Sequence, residues 1–412
     1  MKLRDLCLHI TDGEHGSVQG DQEGGYFFLN NNNITDSGIR IKVNDKRISE
    51  QIFRAIRSRT KLEKGDMVIA TCGTLGKTAV LEEKPDAYEF SRSVGMIKPD
   101  RTKLLPHYLH YYLMLPASQK RIDRISSGGV QKHFYISDME DFEIDAPSLD
   151  EQYAITLLLC NLDKKIQNNK KLMHELEETA RLIYDYWFTQ FDFPDENGNP
   201  YRSSGGKMVW NDQLKREIPE DWEVGTLAEI LTLKKDTCLP QSGSLYEHYS
   251  IPSFDLNKMP EFSDGSTIDS RKYVIHTGDL LYSKLNPKFK RLWRPARIES
   301  LNAICSTEFL VLHPVDNHFS AFCYSVLDSN HFYGYMVTNA ISSTGSRSRV
   351  SPDVAMNYML PIAPSKVEQF YSDITQPFME KIDAMTLENS WLASLRDWLL
   401  PMLINGQVVI DE

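Results

Sequence analysis

The six cysteines (Cys7, Cys72, Cys160, Cys238, Cys305 and Cys323) include no Cys-x-x-Cys pair. Neither a zinc ribbon nor a disulfide framework is therefore expected, and a reducing compartment suits the chain. Long apolar runs are missing too: no 18 consecutive apolar residues occur, and Met1-Lys2-Leu3-Arg4-Asp5 lacks the apolar core of a secretory signal. The expectation is a soluble, cytoplasmic protein without a membrane partner. Positive charge is in deficit, with 46 Lys and Arg against 57 Asp and Glu and a net charge of −11. That argues against an indiscriminate nucleic-acid binder, because counterion release needs positive charge at the phosphates, but it leaves room for local basic surfaces. Metal ligands are scarce: His107 and His110 sit at i, i+3 without a Cys or carboxylate set, so packing or surface exposure is their expected role.

Complete cofactor loops are absent as well. Cys72-Gly73-Thr74-Leu75-Gly76-Lys77-Thr78 ends like a phosphate-binding loop, but the first glycine that motif needs falls on Thr71. The stretch is read either as a loop presenting Thr74 and Lys77 to DNA phosphate or as a plain surface turn. Asn286-Pro287-Lys288-Phe289 is one residue from the Asn-Pro-Pro-Phe/Tyr motif of amino-methyltransferases, and Lys288 spoils it. No Gly-rich cofactor loop precedes it, so neither catalysis nor a cofactor is expected.

What the chain does contain is a repeat. Ala146-Pro147-Ser148-Leu149-Asp150-Glu151-Gln152-Tyr153 returns as Ala363-Pro364-Ser365-Lys366-Val367-Glu368-Gln369-Phe370. In each copy Ser followed three residues later by Glu reads as a capping box, so a helix is expected to open there. After the first, apolar residues recur at 4-3-4-3 spacing through Ile155, Leu159, Leu162, Ile166, Asn169, Met173, Leu176, Ala180, Ile183 and Trp187, with no breaker before Pro194. About 40 helical residues make a rod of roughly 55–60 Å, which needs a partner helix. The second copy supplies one, with Phe378, Ile382, Met385, Asn389, Leu392 and Leu399 on its seam; Pro377 is expected to bend or restart it, and Asn405-Gly406 to stop it.

Each seam has one polar Asn. Setting Asn169 against Asn389 in an antiparallel pair also sets Ile166 against Leu392, Met173 against Met385, Leu176 against Ile382 and Leu159 against Leu399. Facing amides satisfy one another and fix the register. The cost is Leu162 facing Arg396, whose stem covers the leucine while its guanidinium reaches water or an acidic partner.

The segments before the two helices are mixed and similar in outline. Short strands are expected at 26–29, 67–70, 78–81 and 94–97, with a helix near 106–113. Lys64-Gly65-Asp66-Met67-Val68-Ile69 answers Thr277-Gly278-Asp279-Leu280-Leu281-Tyr282, and Ile125-Ser126-Ser127-Gly128-Gly129 answers Ile341-Ser342-Ser343-Thr344-Gly345. Between these anchors the halves share almost nothing. The boundaries read as a first domain over 1–147, a first long helix over 148–192, a connector over 193–221 with a possible hairpin, a second domain over 222–364, a second long helix over 365–404 and a tail over 405–412.

The strongest electrostatic signal lies in the second half: Lys284, Lys288, Lys290, Arg291, Arg294 and Arg297, with Phe289 and Trp293 interleaved and no acid among them. Arginine forks onto guanine N7 and O6, and lysine holds phosphate. The plain alternative is a solvated cationic surface. Arg347 and Arg349 add to this patch. The first half offers Arg54, Arg57, Arg59 and Lys61, then Lys77, Arg92, Gln131 and Lys132 with His133, and Thr74, all more dispersed.

In this order the features resemble the specificity (S) subunits of type I restriction-modification enzymes: the two Gly-Asp strands, the two Ser-Gly loops, Pro-x-x-x-Glu-Gln opening each long helix, and Leu395-Arg396-Asp397-x-Leu399-Leu400-Pro401 near the end. The resemblance implies an α+β fold, with two mixed α/β target recognition domains held by an antiparallel pair of long helices. It implies a non-catalytic, DNA-binding chain in which each domain reads half of a split double-stranded target. The rod length would keep the half-site centres within about 17 base pairs. It also implies two methyltransferase (M) subunits docked on the helices and restriction and translocation (R) subunits beyond them. The alternative from another class is a coiled-coil assembly protein whose globular ends bind protein.

Overall fold

The two Gly-Asp pairs do the same work in both halves. In the computed structural model, which describes residues 1–35, 38–127, 132–298, 302–344, 347–408 and 410, each glycine takes the left-handed conformation (φ +83 at Gly65, +87 at Gly278). The aspartate that follows then accepts from a turn amide three residues back: Glu63 N to Asp66 Oδ2 and His276 N to Asp279 Oδ2, both at 2.8 Å. The turn launches a buried central strand, Met67–Ala70 or Leu280–Ser283. Asp279 is fully buried and offsets the loss of water with Lys234 Nζ and His313 Nδ1, each at 2.8 Å.

The chain divides into two units, 1–168 with 390–412, and 169–389. In the first, a four-stranded antiparallel sheet runs Cys7–Asp12, Val94–Pro99, Met67–Ala70, Thr78–Val80. A three-stranded sheet (Lys46–Ile48, Tyr26–Leu29, Tyr88–Phe90) lies beside it in sequence. The second unit repeats the four-stranded order with Leu231–Lys234, Phe309–Pro314, Leu280–Ser283 and Leu292–Trp293. Its second sheet has five strands, Thr237–Cys238, Lys272–Val274, Ala303–Cys305, Leu245–Tyr249 and Glu261–Asp264. In each unit a pair of short helices follows the four-stranded sheet (Pro106–Met114 and Pro116–Ile125; Ser320–Asp328 and Asn330–Thr338). The connector does hold a hairpin, Met208–Asn211 with Arg216–Pro219.

Two long helices, Leu149–Tyr184 and Ser365–Ile404, are each shared between the units. In the first unit Ile155 and Leu159 share a core with Leu400, Leu403 and Ile404. Ile166 and Leu392 are buried as well, each a side chain whose burial contributes about 1.5–3 kcal/mol. The Arg396 guanidinium, expected to find water or an acid, pairs with Asp163 at 2.6 Å, and Tyr111 donates to the same carboxylate at 2.6 Å. In the second unit Met173, Leu176 and Ala180 join Phe378, Met379 and Ile382 in one cluster, and Met385 is buried. Asn169 Nδ2 donates to Asn389 Oδ1 at 2.9 Å and to Glu388 Oε2 at 2.7 Å. Tyr371 reaches the Ala180 carbonyl at 3.1 Å, so the two stretches run antiparallel.

Three expectations are corrected. The second long helix runs unbroken through Pro377; the ring removes one amide, but Phe378, Met379 and Ile382 hold the following turn in the core. The first stops being α-helical at Tyr184, earlier than Pro194 suggested, because Asp185–Thr189 form a π turn that buries Trp187 and Phe188, and Phe191 then turns left-handed (φ +66). The first capping box forms, with Ser148 N to Glu151 Oε2 at 3.0 Å and Glu151 N to Ser148 Oγ at 3.3 Å. The second does not. Pro364 is the cap there, accepting from Val367 N at 2.8 Å, so Ser365 is already in the helix and Glu368 turns inward. No helix among the described residues is long and apolar enough to cross a membrane.

Candidate nucleic-acid interface

Each central strand runs into a loop that is tied down twice by main-chain atoms. In the first unit Thr71 N donates to Ser93 O at 3.0 Å, and Thr71 O accepts from Phe134 N at 2.9 Å. In the second, Lys284 N donates to Glu308 O at 2.9 Å, and Lys284 O accepts from Val350 N at 3.1 Å. Two residues further on, both loops turn left-handed, at Gly73 (φ +68) and Asn286 (φ +47). Because these two tethers use only backbone, they do not dictate the side chains that follow, and 72–77 and 285–290 differ.

In the second unit the loop is clasped to the hairpin Ile341–Thr344 and Arg347–Arg349. Asn286 N donates to Ser348 O at 2.8 Å, and Ser348 N donates to Asn286 Oδ1 at 2.9 Å. This brings Lys284 and Lys288 beside Arg347 and Arg349, residues far apart in sequence. Lys288 is exposed and lies 5.1 Å from the ring centre of Phe289, itself 54% exposed. One carboxylate sits among these cations: Glu308 accepts from Arg349 Nε at 3.0 Å and Nη2 at 2.6 Å, which holds its carboxyl below the usual range. The Asn286 amide oxygen is already occupied, so it is not available to accept from a flipped base, as the methyltransferase motif would require.

Three of the candidate cations are spent inside the unit, which corrects the picture of one continuous basic loop. Lys290 pairs with Asp328 at 2.5 Å, a carboxylate that Arg181 also reaches at 3.1 Å. Arg291 is held by Asp255 through Nε at 2.6 Å and Nη2 at 2.7 Å. Arg294 binds Asp383 Oδ2 at 2.5 Å and the Met379 carbonyl at 2.8 Å, pinning the loop to the second long helix. Burial raises the Asp383 carboxyl, and the guanidinium offsets part of that. Local sequence showed no acid near these residues because all three partners come from distant segments.

In the first unit the exposed Thr74 and half-buried Lys77 lie on the 71–77 loop, and Thr71 Oγ1 donates to the carbonyl of the exposed Arg92 at 3.0 Å. Thr74, Lys77 and Arg92 are thus brought together. Lys132 is not with them in the same sense: its ammonium is taken by Asp123 at 2.6 Å. Gln131 lies outside the described residues. The loop returns into Thr78–Val80, antiparallel to the strand it left, and not into a helix, so the helix N-terminus that a phosphate-binding loop uses does not follow it. Sequence reading missed Asn31, whose amide N donates to Ser93 Oγ at 3.1 Å and whose side chain packs against Gly73. It also missed Glu308. The Asn30–Asn33 run was the only signal for the first, and nothing local pointed to the second.

A model of the type I restriction modification DNA specificity domain matches residues 12–178. The chain is similar to the type I restriction enzyme MjaIX specificity subunit of Methanocaldococcus jannaschii, 24% identical over 388 residues, which is 91% of this chain and 84% of that protein. A shorter match joins it to the EcoBI specificity subunit of Escherichia coli, 26% identical over 110 residues, 27% of this chain and 23% of the other. The crystal structure of a type I restriction-modification S subunit from M. genitalium shares the fold, with a TM-score of 0.58 at 18% identity over 100% of this chain and 96% of that one. Residues 12–178 thus match the type I restriction modification DNA specificity domain, and over most of its length the chain is similar to type I restriction-modification specificity subunits, with the same fold.

Proposed function

We propose that this chain is the non-catalytic subunit that gives a type I restriction-modification enzyme its DNA sequence specificity, each unit binding one half of a bipartite double-stranded target. The observation that carries this reading is the repeated loop tether at Thr71 and Lys284, which presents different side chains from the same backbone frame. In the second unit the DNA-facing cations are Lys284, Lys288, Arg347 and Arg349; in the first they are Lys77 and Arg92, with Thr74 and Asn31. Lysine and arginine there neutralise phosphates, and arginine or asparagine forks read base edges in the major groove. Lys290, Arg291 and Arg294 brace the loop from behind.

The partners are two methyltransferase subunits on the long helices and, in the full complex, restriction subunits. Trp391 and Trp398 support this, being 63% and 58% exposed at heptad spacing on the second long helix. Large aromatics left in water on an outward face are the residue type that anchors protein interfaces. The test is an exchange of residues 222–361 for the matching part of a related subunit, followed by mapping of methylated sites in cells. One half of the target should change and the other stay; a chimera that alters both halves contradicts the reading.

A further inference from the structure

Arg349 is held by the side edge of its guanidinium, as Arg291 is by Asp255, but its side chain is 44% exposed where that of Arg291 is 13%. Glu308 takes Nε and one Nη2 hydrogen, the side edge of the fork. The end edge, formed by Nη1 and the outer Nη2 hydrogen, has no partner among the described residues, while the side chain remains partly exposed. An arginine has five N–H donors in a rigid plane, so fixing one edge aims the other. The base of this arrangement is itself fixed: the Glu308 carbonyl accepts from Lys284 N, Glu308 N donates to Ser306 Oγ at 3.3 Å, and Leu285 bridges to Arg349 in antiparallel fashion. The strand and the loop therefore hold both members of the pair.

Resting on the reading that the second unit binds DNA, we propose that Arg349 reads a guanine in the half-site of that unit through its free end edge, with Glu308 as the positioning residue that holds the fork. The choice of guanine over phosphate follows from charge. A carboxylate beside the fork repels an approaching phosphate, whereas guanine is neutral and offers O6 and N7 side by side as acceptors. Lys284 and Arg347 also act on Glu308 from a distance, but neither they nor Lys288 form an ion pair with a carboxylate among the described residues, and they serve phosphates. A good bidentate pair discriminates by about 1–3 kcal/mol, which is roughly 5- to 150-fold in affinity.

The test uses the full chain co-purified with its methyltransferase, and duplexes bearing the sequence found methylated in cells that express it, with each base pair changed in turn. For Arg349→Ala, preference at one G·C pair should fall by about 10-fold or more while the other pairs keep theirs. Glu308→Gln should lower preference at that same pair, strengthen binding to an unrelated duplex by removing a negative charge, and leave the melting temperature unchanged; Glu308→Asp should restore part of the preference. If Arg349→Ala weakens all duplexes equally and lowers the salt slope by about one, Arg349 is a phosphate contact and the proposal is overturned. It is overturned equally if Glu308→Gln lowers stability without touching preference. Lys284→Ala separates this from the wider reading: reduced affinity and salt slope there, with Arg349→Ala silent, sinks the guanine contact but keeps DNA binding. A wild-type chain that prefers no duplex sinks both.

Discussion

Asn169 and Asn389 face one another on the two long helices, the amide of the first donating to that of the second at 2.9 Å, with Asn169 only 4% exposed. Met173 Sδ receives the Asn389 amide at 3.8 Å, so the pair sits within apolar seam residues. A slip of one heptad would strand both amides, at about 1–3 kcal/mol for each unsatisfied group.

Asn169→Leu alone should therefore destabilise the chain by about 1–3 kcal/mol in urea unfolding, since it takes the donor from the Asn389 amide oxygen. The double change to Leu should recover most of that stability and lose register. A cysteine pair placed at Ile166 and Leu392 reads register directly: it should cross-link uniquely in the parent and less selectively in the double variant. Equal stability of the single and double variants would show that the amide pair does not matter.

Glu368 gives the chain a pH dependence. It is 6% exposed, Oε1 lacks a partner among the described residues, the Ser372 hydroxyl one turn on is also unsatisfied, and burial pushes the carboxyl up to about 7. The unfolded chain releases this proton near 4.5 and the folded chain near 7, so the folded state binds more protons between these values. Stability should then fall as pH rises through that window and level off above it. Glu368→Gln should remove the slope and stabilise the chain by about 1–3 kcal/mol at pH 8, with little effect at pH 4.5. Thermal melts of both forms across that range check the sign.

Arg294→Ala and Lys288→Ala should behave differently. Loss of Arg294 leaves Asp383 largely buried without its cation, so the cost should appear as about 2–3 kcal/mol of stability and as a general loss of binding. Loss of Lys288 should leave the melt unchanged and reduce the salt slope of DNA binding by about one. Arg294→Ala with an unchanged melt and a selective loss at one base would reverse this assignment.

Trp391→Ala and Trp398→Ala should each weaken assembly with the methyltransferase by about 2 kcal/mol while leaving the isolated chain within about 0.5 kcal/mol of the parent. Co-purification yield and unfolding of the free chain measure the two effects. A drop in stability without loss of assembly would make the tryptophans part of the fold.

How much of this was legible in the sequence depended on the range of the interaction. Seam residues and Gly-Asp turns are set by neighbours a few positions away, so the spacing of Ile166, Asn169 and Met173 carried real information about their surroundings. The Asn169 contact crosses to a segment 220 positions later, yet it was readable because each seam had a single polar member. Pro377 misled because propensity is local, and the packing of Phe378 and Ile382 overrides it. The basic loop misled for the opposite reason. Lys290, Arg291 and Arg294 look free in a stretch without acids, but Asp328, Asp255 and Asp383 arrive from elsewhere. Glu308 left no trace beside Arg349, 41 residues away.

The tethers at Thr71 and Lys284 have an evolutionary corollary. The tethers themselves use only carbonyls and amides, so the demand on side chains falls on a few positions, the left-handed turn at Gly73 or Asn286, the Asn286 clasp and the braces from Lys290 onward, and not on the tip between them. Replacing residues 287–289 costs the scaffold little, so a variant that abandons one contact need not lose its fold before it gains another. Innovation at the surface is uncoupled from survival of the core.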